Sequence, residues 1–304
     1  MSAESVAATR DHPAAAEAPT PLTAGASRPA HFVRRLARMH LARLGGAIVL
    51  VVLLAALLAV VWSPYSPTQQ DIRNLLKPPS PAHPLGTDEL GRDTLTRVMF
   101  GAQASLEVGI IAVGISLFVG SALGLLAGYL RGLTDAVIMR VMDGLLALPT
   151  LVLALAMVAM LGPSLNNAML AIGLTGVPLF ARLVRGQVLS VRELEYIQAA
   201  RSLGAGDLRM MLRHVLPNVL APIVVQASLA MPTAILAEAG LSFLGLGVQP
   251  PTPSWGAMLN TAKGYLQQDA WLAIAPGVAI FVTVLGFNFL GDAIRDALDP
   301  RLRS

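Results

Sequence analysis

The chain contains no cysteine and little charge. None of its 304 residues is Cys, and only 13% are Asp, Glu, Lys or Arg, whereas soluble domains carry roughly 25%. The absence of cysteine excludes a disulfide framework, a thiol nucleophile and an iron–sulfur site. The low charge, together with 55% hydrophobic residues and uncharged runs near membrane-spanning length, predicts an integral membrane protein.

Lysine is also scarce, and neither lysine fits a nucleotide site. Lys77 precedes Pro78 and Lys263 precedes Gly264, whereas a P-loop needs Lys followed by Ser or Thr after a glycine-rich loop. The chain is therefore expected to bind no ATP itself. We predict no cofactor and no catalytic residue in this chain.

Uncharged stretches divide the chain into membrane spans. One of them has 38 residues, which as a single helix would extend about 57 Å, nearly twice the ~30 Å hydrocarbon core. Gly162-Pro163-Ser164 interrupts it, so we split it into two spans around a short turn. Six transmembrane helices are thus predicted from the runs 44–62, 108–130, 144–181, 215–237 and 270–291.

The first run has a second interpretation. Arg34-Arg35 before it would suit a twin-arginine or secretory signal. The 19 uncharged residues that follow are long for the apolar region of a signal and long enough to cross a bilayer. We expect an uncleaved membrane anchor.

Basic residues set the expected orientation. With both termini inside, seventeen of the 22 Lys and Arg residues fall on the cytoplasmic side and five on the outer side. The positive-inside rule therefore predicts an N-in, C-in topology. Trp62, Trp255 and Trp271 then lie at or beyond the outer interface, where amphipathic rings prefer to sit.

Small and acidic residues occur within or beside the spans. Glycines recur every fourth residue over 120–128, which is typical of close helix packing. Glu107, Asp143 and Glu238 flank the spans, and an acid inside a membrane is a candidate functional residue. All three fall at predicted span ends, where solvated or backbone-paired carboxylates are common, so we favour a structural role.

The longest outer segment, residues 63–104, concentrates polar groups. Asp93 is placed to cap a short helix that leads into the second span. His83 with Asp88, Glu89 and Asp93 could be imagined as a metal site. Turn chemistry and helix capping account for the same residues, and we predict no metal site.

A basic amphipathic segment, residues 190–217, lies between the fourth and fifth spans. Ser190 and Glu193 have capping-box spacing, which predicts a helix start, and Gly204 permits a sharp turn. A second helix follows, and Pro217 would end it or occupy the first turn of the fifth span. On the first helix, one face is predicted to carry Tyr196, Ala199, Ala200 and Leu203. On the second helix, the predicted buried face consists of Leu208, Met211 and Leu212.

This segment has two interpretations. It could be a solvated loop whose arginines simply follow the positive-inside rule. It could instead dock a partner at the membrane face, because Ala199 and Ala200 make one helix face flat enough for another backbone to approach. Composition and periodicity are compatible with both.

The segment resembles the EAA loop of ABC importer permeases. Gln198-Ala199-Ala200, Gly204 and Leu216-Pro217 carry the likeness, although Gln198 replaces the glutamate that names the loop. Other motifs over about residues 80–303 look like the dipeptide/oligopeptide/nickel permease subfamily. They are His83-Pro-Leu-Gly-Thr-Asp88, Leu90-Gly-Arg-Asp93, Ala181-Arg182-Leu-Val-Arg185-Gly186, Leu241-Ser-Phe-Leu-Gly-Leu-Gly247, Pro253-Ser-Trp-Gly256 and Asp296-Ala-Leu-Asp-Pro300-Arg301.

The resemblance implies an all-α integral membrane fold, the six-helix transmembrane domain of type I ABC importers. The first residues are rich in Ala, Pro, Ser and Thr with no apolar period, which predicts a disordered cytoplasmic tail. A basic flank with the first helix and an extracytoplasmic segment follow. The type-1 transmembrane domain with its coupling loop 190–217 comes next, and then a cytoplasmic C-terminal tail. The corresponding boundaries are 1–30, 31–62, 63–101, 102–292 and 293–304.

The resemblance also implies a function. The chain would form half of a translocation path for di- or oligopeptides in the bacterial cytoplasmic membrane. Its partners would be a second, usually non-identical permease, two ATPase subunits that bind ATP and Mg, an extracytoplasmic binding protein and the lipid bilayer, but no nucleic acid. The residues docking the ATPase would be Glu195, Tyr196, Gln198, Ala199, Ala200, Leu203, Gly204, Arg209, Arg213 and Pro217.

Several alternatives remain at this stage. The same machinery could carry nickel chelates or glutathione, since specificity is expected mainly in the binding protein. A proton-coupled transporter would need acids or histidines near the membrane midplane, which the span centres lack. An intramembrane serine protease would use Ser242, but His214 is expected on the opposite side of the membrane; hydrolysis of a transmembrane substrate would reveal it.

Overall fold

The structure is a computed structural model, and it describes Leu36 and residues 39–298. The predicted tail 1–30, the Arg34-Arg35 pair and the last six residues of the chain lie outside the described residues. Within them the fold is all helical, with a single 3-10 turn at Ile72–Asn74 and no β-strand. The helices are α1 His40–Val61, α2 Thr94–Leu130, α3 Gly132–Leu146, α4 Thr150–Leu161, α5 Leu165–Arg192, α6 Glu195–Ser202, α7 Asp207–Phe243, α8 Trp255–Ala262 and α9 Trp271–Leu298.

Five of these helices are individually long and apolar enough to cross a membrane: α1, α2, α5, α7 and α9. The remaining predicted span corresponds to α3 and α4, which pass the same test only as a pair and are bent by 90° where they join. The described residues therefore supply five spans, or six if the bent pair counts as one.

The bent pair corrects the predicted third span. The sequence predicts one span from residue 144 up to Gly162 with Pro149 inside it, but α3 ends at Leu146 and α4 begins only at Thr150. Pro149 causes the break, because it has no N–H to donate and disfavours helical backbone at Leu148. The 12 residues of α4 rise only about 18 Å, less than the ~30 Å core.

The predicted turn between the two halves of the 38-residue run is confirmed. Gly162 ends α4 with a φ of +94°, a conformation that favours glycine. Ser164 then caps α5, and its Oγ accepts a hydrogen bond of 3.1 Å from the N–H of Asn167.

Glycines bring α2 and α5 into close contact. A Cβ added to Gly120 would lie 2.6 Å from the carbonyl oxygen of Val177, and one on Gly124 would overlap the carbonyl oxygen of Ala181. One turn further, a Cβ on Gly128 would lie 2.8 Å from the Cβ of Val188. Because these three positions of α2 carry no side chain, the helix lies close to α5 along three consecutive turns, as the glycine spacing predicts.

The tryptophans are not all at a lipid interface. Trp62 and Trp271 are exposed, as expected for interfacial rings, but Trp255 is only 2% exposed. Its Nε1–H donates to the carbonyl oxygen of Val98, 2.9 Å away. Trp255 therefore fixes α8 against the start of α2, a role that the expected aromatic belt did not include.

Candidate functional site

The segment between α5 and α7 begins later than its capping-box spacing predicts. Ser190 does not cap a helix, because α5 continues through it to Arg192 and its Oγ donates to the carbonyl oxygen of Gly186 at 3.3 Å. The next helix, α6, starts at Glu195 after Leu194. Glu195 places a negative charge in the first turn of α6, where it opposes the partial positive charge of the helix end.

Helix α6 is anchored by one side chain and exposes most of the rest. Ile197 is only 3% exposed and packs into a cluster with Val188 and Met210. Ala200, one turn later, is partly buried against the same cluster. The predicted four-residue face is therefore divided: Ala200 turns towards the protein, whereas Tyr196, Ala199 and Leu203 point outward. We call these three residues the outer stripe of α6.

The end of α6 has the hydrogen bonds of a Schellman motif. The N–H of Gly204 donates to the carbonyl oxygen of Arg201, and the N–H of Ala205 donates to that of Ala200. Gly204 has a φ of +82°, and an added Cβ there would meet nothing within 4 Å. The residue is thus needed for its backbone conformation rather than for space, in agreement with the predicted turn.

Helix α7 starts with an irregular turn that changes which side chains are buried. Residues Met210–Val215 form a π-helical turn. Pro217 contributes to it, because it has no N–H to give the carbonyl of Arg213. Met210, Met211 and Val215 are buried, whereas Leu208 and Leu212 are 66% and 52% exposed. The prediction that Leu208 and Leu212 are buried assumed an uninterrupted 3.6-residue period and is wrong.

The predicted docking residues are brought together at one end of the bundle. Apart from Ala200, all of them are exposed: Glu195, Tyr196, Gln198, Ala199, Leu203, Gly204, Arg209, Arg213 and Pro217. The Gln198 side chain donates to the carbonyl oxygen of Glu193 at 3.2 Å. The segment therefore presents a short helix with an apolar outer stripe beside exposed arginines.

Tyr129, which sequence reasoning missed, contacts both ends of this segment. Its hydroxyl donates to Oδ1 of Asp207 at 2.9 Å, and its carbonyl oxygen accepts from the Arg192 guanidinium at 2.7 Å. The Arg192 guanidinium carbon also lies 5.9 Å from the ring centroid, within cation–π range. In the sequence, a tyrosine at the end of a span resembles an ordinary interfacial aromatic, and nothing connects it to Asp207.

Of the three flanking acids, Glu238 differs most from expectation. Its side chain is fully buried in α7, where Oε1 accepts from the Ser242 hydroxyl at 2.7 Å and Oε2 from the Ser105 hydroxyl at 3.3 Å. It is neither solvated nor backbone-paired, which corrects the prediction. Ser242 in turn accepts from the N–H of Val248 at 3.1 Å. Glu238 therefore joins α2, α7 and the loop after α7.

The other two acids are exposed. Glu107 faces outward from α2. Asp143 is half-exposed and forms an ion pair of 2.5 Å with Arg182. A better-shielded pair lies nearby, where Arg185 donates two hydrogen bonds to the Asp135 carboxylate at 2.5 and 2.7 Å. Both pairs join α3 to α5, which fits the structural role favoured for Asp143.

The polar residues of the outer segment form an ion-pair cluster. Asp93 caps a helix as predicted, accepting from the N–H of Thr96 at 2.8 Å. That helix is the 37-residue α2 itself, however, and not a separate short helix before the second span. Asp88 and Glu89 both pair with Arg92, at 2.6 and 2.7 Å. Burial raises the pKa of the Glu89 carboxyl, and the charge of Asp88 raises the same pKa further.

The candidate metal ligands are engaged in these contacts. His83 hydrogen-bonds Asp93 at 2.9 Å, and the carboxylates of Asp88 and Glu89 form ion pairs with Arg92. Among residues 39–298 no three His, Cys, Asp or Glu side chains are grouped to hold a metal ion. Ser242 hydrogen-bonds Glu238 rather than a histidine, and His214 lies at the opposite end of α7.

Comparison with known proteins identifies the family. Residues 120–304 match the family described as the inner membrane component of binding-protein-dependent transport systems. Residues 30–79 match the N-terminal transmembrane domain of oligopeptide transport permease C.

Named relatives cover almost the whole chain. The dipeptide transport system permease protein of Alkalihalophilus pseudofirmus is 46% identical over 271 residues, 89% of each chain. The glutathione transport system permease protein of Pectobacterium atrosepticum is 46% identical over 274 residues, covering 90% of this chain and 91% of that one. A probable D,D-dipeptide transport system permease protein of Escherichia coli is 47% identical, covering 83% and 86%.

A solved structure supports the fold. A chain of the methionine ABC transporter MetNI, in an inward-facing conformation, matches 67% of this chain and 96% of its own length with a TM-score of 0.55 and 19% identity. The helical bundle thus has the fold of a type I ABC importer transmembrane domain. The chain belongs to the family of inner membrane components of binding-protein-dependent transport systems, and it is a multi-pass permease subunit rather than an enzyme.

Proposed function

We propose that this permease forms one half of a translocation path for dipeptides or related small peptides in the bacterial cytoplasmic membrane. The relatives that cover most of its length are named as dipeptide and glutathione permeases at nearly the same identity. Glutathione is itself a tripeptide, so a small peptide is the solute class that these names share. Glutathione is therefore the second candidate, and nickel chelates are a third.

The proposed partners are a second, non-identical permease, two ATPase subunits and an extracytoplasmic binding protein. ATP and Mg would be bound by the ATPase subunits, because neither lysine of this chain has the sequence context of a P-loop. Docking would occur on residues 190–217, with the outer stripe of α6 as the central contact. Closure of the ATPase pair would then displace α6 and favour one of two orientations of the attached spans.

The observation that carries the docking proposal is the exposure of the outer stripe. Leu203 is 88% exposed and Tyr196 is 45% exposed at the end of the bundle where arginines are concentrated. A basic end of the bundle is expected to face the cytoplasm rather than lipid. An apolar stripe in water favours a protein partner, and Ala199 between the two larger side chains leaves room for close approach.

The docking proposal is tested by adding a charge to the stripe. Ala199→Arg should abolish co-purification of the ATPase subunits, because a long charged side chain would hold the two surfaces apart. Ala200→Arg should do the same but also lower the melting temperature, since Ala200 is partly buried. Gly204→Pro should disrupt the turn, because proline cannot adopt its positive φ.

The control for this experiment adds the same charge elsewhere. Gln70 is exposed in the outer segment, so Gln70→Arg should leave assembly unchanged. All variants should reach the membrane in normal amount. Retention of the ATPase subunits by Ala199→Arg would show that the outer stripe is not the docking surface.

The solute is tested by uptake into liposomes that contain the assembled transporter and its binding protein. We expect ATP-dependent accumulation of radiolabelled dialanine, with competition by other dipeptides. Mass spectrometry of the natively purified binding protein should show a co-purifying small peptide. Accumulation of glutathione or of a nickel chelate without dialanine would replace the dipeptide assignment by the corresponding alternative.

A further inference from the structure

One residue, Tyr129, contacts both ends of the part of the docking segment that contains α6. Its carbonyl oxygen binds Arg192, the last residue of α5, and its hydroxyl binds Asp207, the first residue of α7. Between these two contacts lie the fourteen residues 193–206, which include all of α6. The residues that contain α6 thus leave the bundle at the carbonyl of Tyr129 and return to it at the hydroxyl of the same residue.

The ring of Tyr129 is fixed by its surroundings. Tyr129 is only 5% exposed and belongs to the same hydrophobic cluster as Ile197, Met210 and Val215. Ile197 is the buried anchor of α6, and the other two residues belong to the π-helical turn of α7. Because a packed aromatic ring has few rotamers, the packing itself orients the hydroxyl towards Asp207.

Tyr129 also belongs to a helix that cannot easily move alone. It is the penultimate residue of α2, and it follows directly after Gly128, the last of the three glycines in contact with α5. Since Val188 of α5 packs directly against Gly128, a force applied to Tyr129 acts on the two helices together.

The beginning of α7, in contrast to the closely packed end of α2, contains an irregular turn. A π-helical turn interrupts the regular hydrogen bonding of an α-helix and frequently occurs at a functional site. Met210–Val215 follows Asp207 almost directly. Without the contact of Tyr129 with Asp207, a displacement of α6 could be taken up in part by this turn. It would then reach α2 only through the Arg192 contact and the hydrophobic cluster.

We propose that Tyr129 is a positioning residue that transmits the movement of α6 to helix α2. The proposal rests on the proposed docking of ATPase subunits on α6 and names the connection through which that docking acts. Tyr129 itself touches neither the solute nor the nucleotide in this scheme. Its hydroxyl joins the docking segment to α2, and its carbonyl keeps the end of α5 in register with both.

The variant that tests this proposal is Tyr129→Phe in the complete transporter reconstituted in liposomes. It removes the hydroxyl and retains the buried ring, the carbonyl and the cation–π contact. The probe is the binding protein purified natively with the solute it retains, and the readout is its stimulation of ATP hydrolysis. We expect stimulation to fall about five-fold or more while unstimulated hydrolysis stays within about two-fold of wild type.

Two variants at Asp207 separate positioning from stability. Asp207→Asn keeps an oxygen that can accept from the Tyr129 hydroxyl, so this variant should retain most of the stimulation of ATP hydrolysis. Asp207→Ala removes the acceptor and should reproduce the loss of Tyr129→Phe. The double variant Tyr129→Phe/Asp207→Ala should lose no more than either single variant, because both remove the same contact.

The outcomes distinguish this proposal from the docking proposal. If Ala199→Arg prevents ATPase binding while Tyr129→Phe keeps normal stimulation, docking stands and the role of Tyr129 is wrong. If Ala199→Arg still binds the ATPase, the docking proposal itself is wrong. A lower melting temperature of Tyr129→Phe with unchanged stimulation would show that Tyr129 only stabilises the fold.

Discussion

At the scale of single residues, the glycines of α2 show how an absent side chain positions two helices. Gly124 faces the backbone of α5, and any Cβ there would overlap the carbonyl oxygen of Ala181. Gly114 belongs to the same helix, but a Cβ added there would meet no atom within 4 Å. The same residue type therefore has two different roles ten residues apart.

This difference gives a matched pair of variants. Gly124→Ala should separate α2 from α5 and destabilise the protein by about 1–3 kcal/mol, the usual effect of overpacking. Gly114→Ala should be neutral or slightly stabilising, because alanine has the higher helix propensity. Thermal unfolding of the purified chain in detergent measures both, and equal melting temperatures for the two variants would contradict the packing argument.

Individual residues also show the limit of sequence reasoning. The spacing of Tyr196, Ala199, Ala200 and Leu203 correctly predicts one helix, but only the packing of Ile197 shows that Ala200 turns inward. The sequence places Glu238 correctly near a helix end. Its serine partner Ser105 is 133 residues away in the chain, and no local pattern reveals a contact at that separation.

At the scale of elements, the π-helical turn sets the direction of α6 relative to α7. A π turn contains one residue more than the corresponding α-helical segment. Each residue of an α-helix adds a rotation of about 100°. The extra residue of the turn therefore changes, by about 100°, the direction in which the outer stripe faces relative to α7.

Deletion of Leu212 tests this function. Leu212 is half-exposed, so its loss should allow a regular α-helix and turn α6 by about 100° relative to α7. We expect normal membrane insertion but loss of ATPase co-purification. Leu212→Ala keeps the residue count and should behave as wild type. Normal ATPase binding by the deletion variant would show that the π turn does not orient the docking surface.

Helix breaks differ in how well the sequence predicts them. The turn at Gly162 is recognisable because glycine, proline and serine occur together and Ser164 can cap the next helix. The break at Pro149 is not, because a single proline inside an apolar run is compatible with a kinked helix that remains one span. Which outcome occurs depends on tertiary packing around the proline, which composition does not reveal.

At the scale of the whole molecule, the predicted orientation can be tested directly because the chain has no cysteine. Cysteines introduced one at a time would be the only thiols in this subunit. Gln70→Cys, in the outer segment, should react with a membrane-impermeant maleimide in intact cells. Ser202→Cys, at the end of α6, should react only after the membrane is opened. The reverse pattern would contradict the N-in, C-in topology.

The fold and family of the whole molecule could be predicted from its sequence more fully than its solute path. Uncharged runs and successive motifs indicate a helical permease, which the family match and the relatives confirm. A translocation path between two subunits is lined by residues from both chains. In the proposed assembly, the half supplied by this chain would therefore not define the solute by itself.

Helix α2 extends through the whole molecule without a proline. Its 37 residues give a length of about 56 Å, well beyond the ~30 Å hydrocarbon core, while α5, α7 and α9 all contain proline. One end of α2 begins at the Asp93 cap, and the other ends beside Tyr129. In the proposed mechanism such a helix would act as a lever: a tilt applied at the end near Tyr129 would displace the end near Asp93 at the same moment and in the opposite direction.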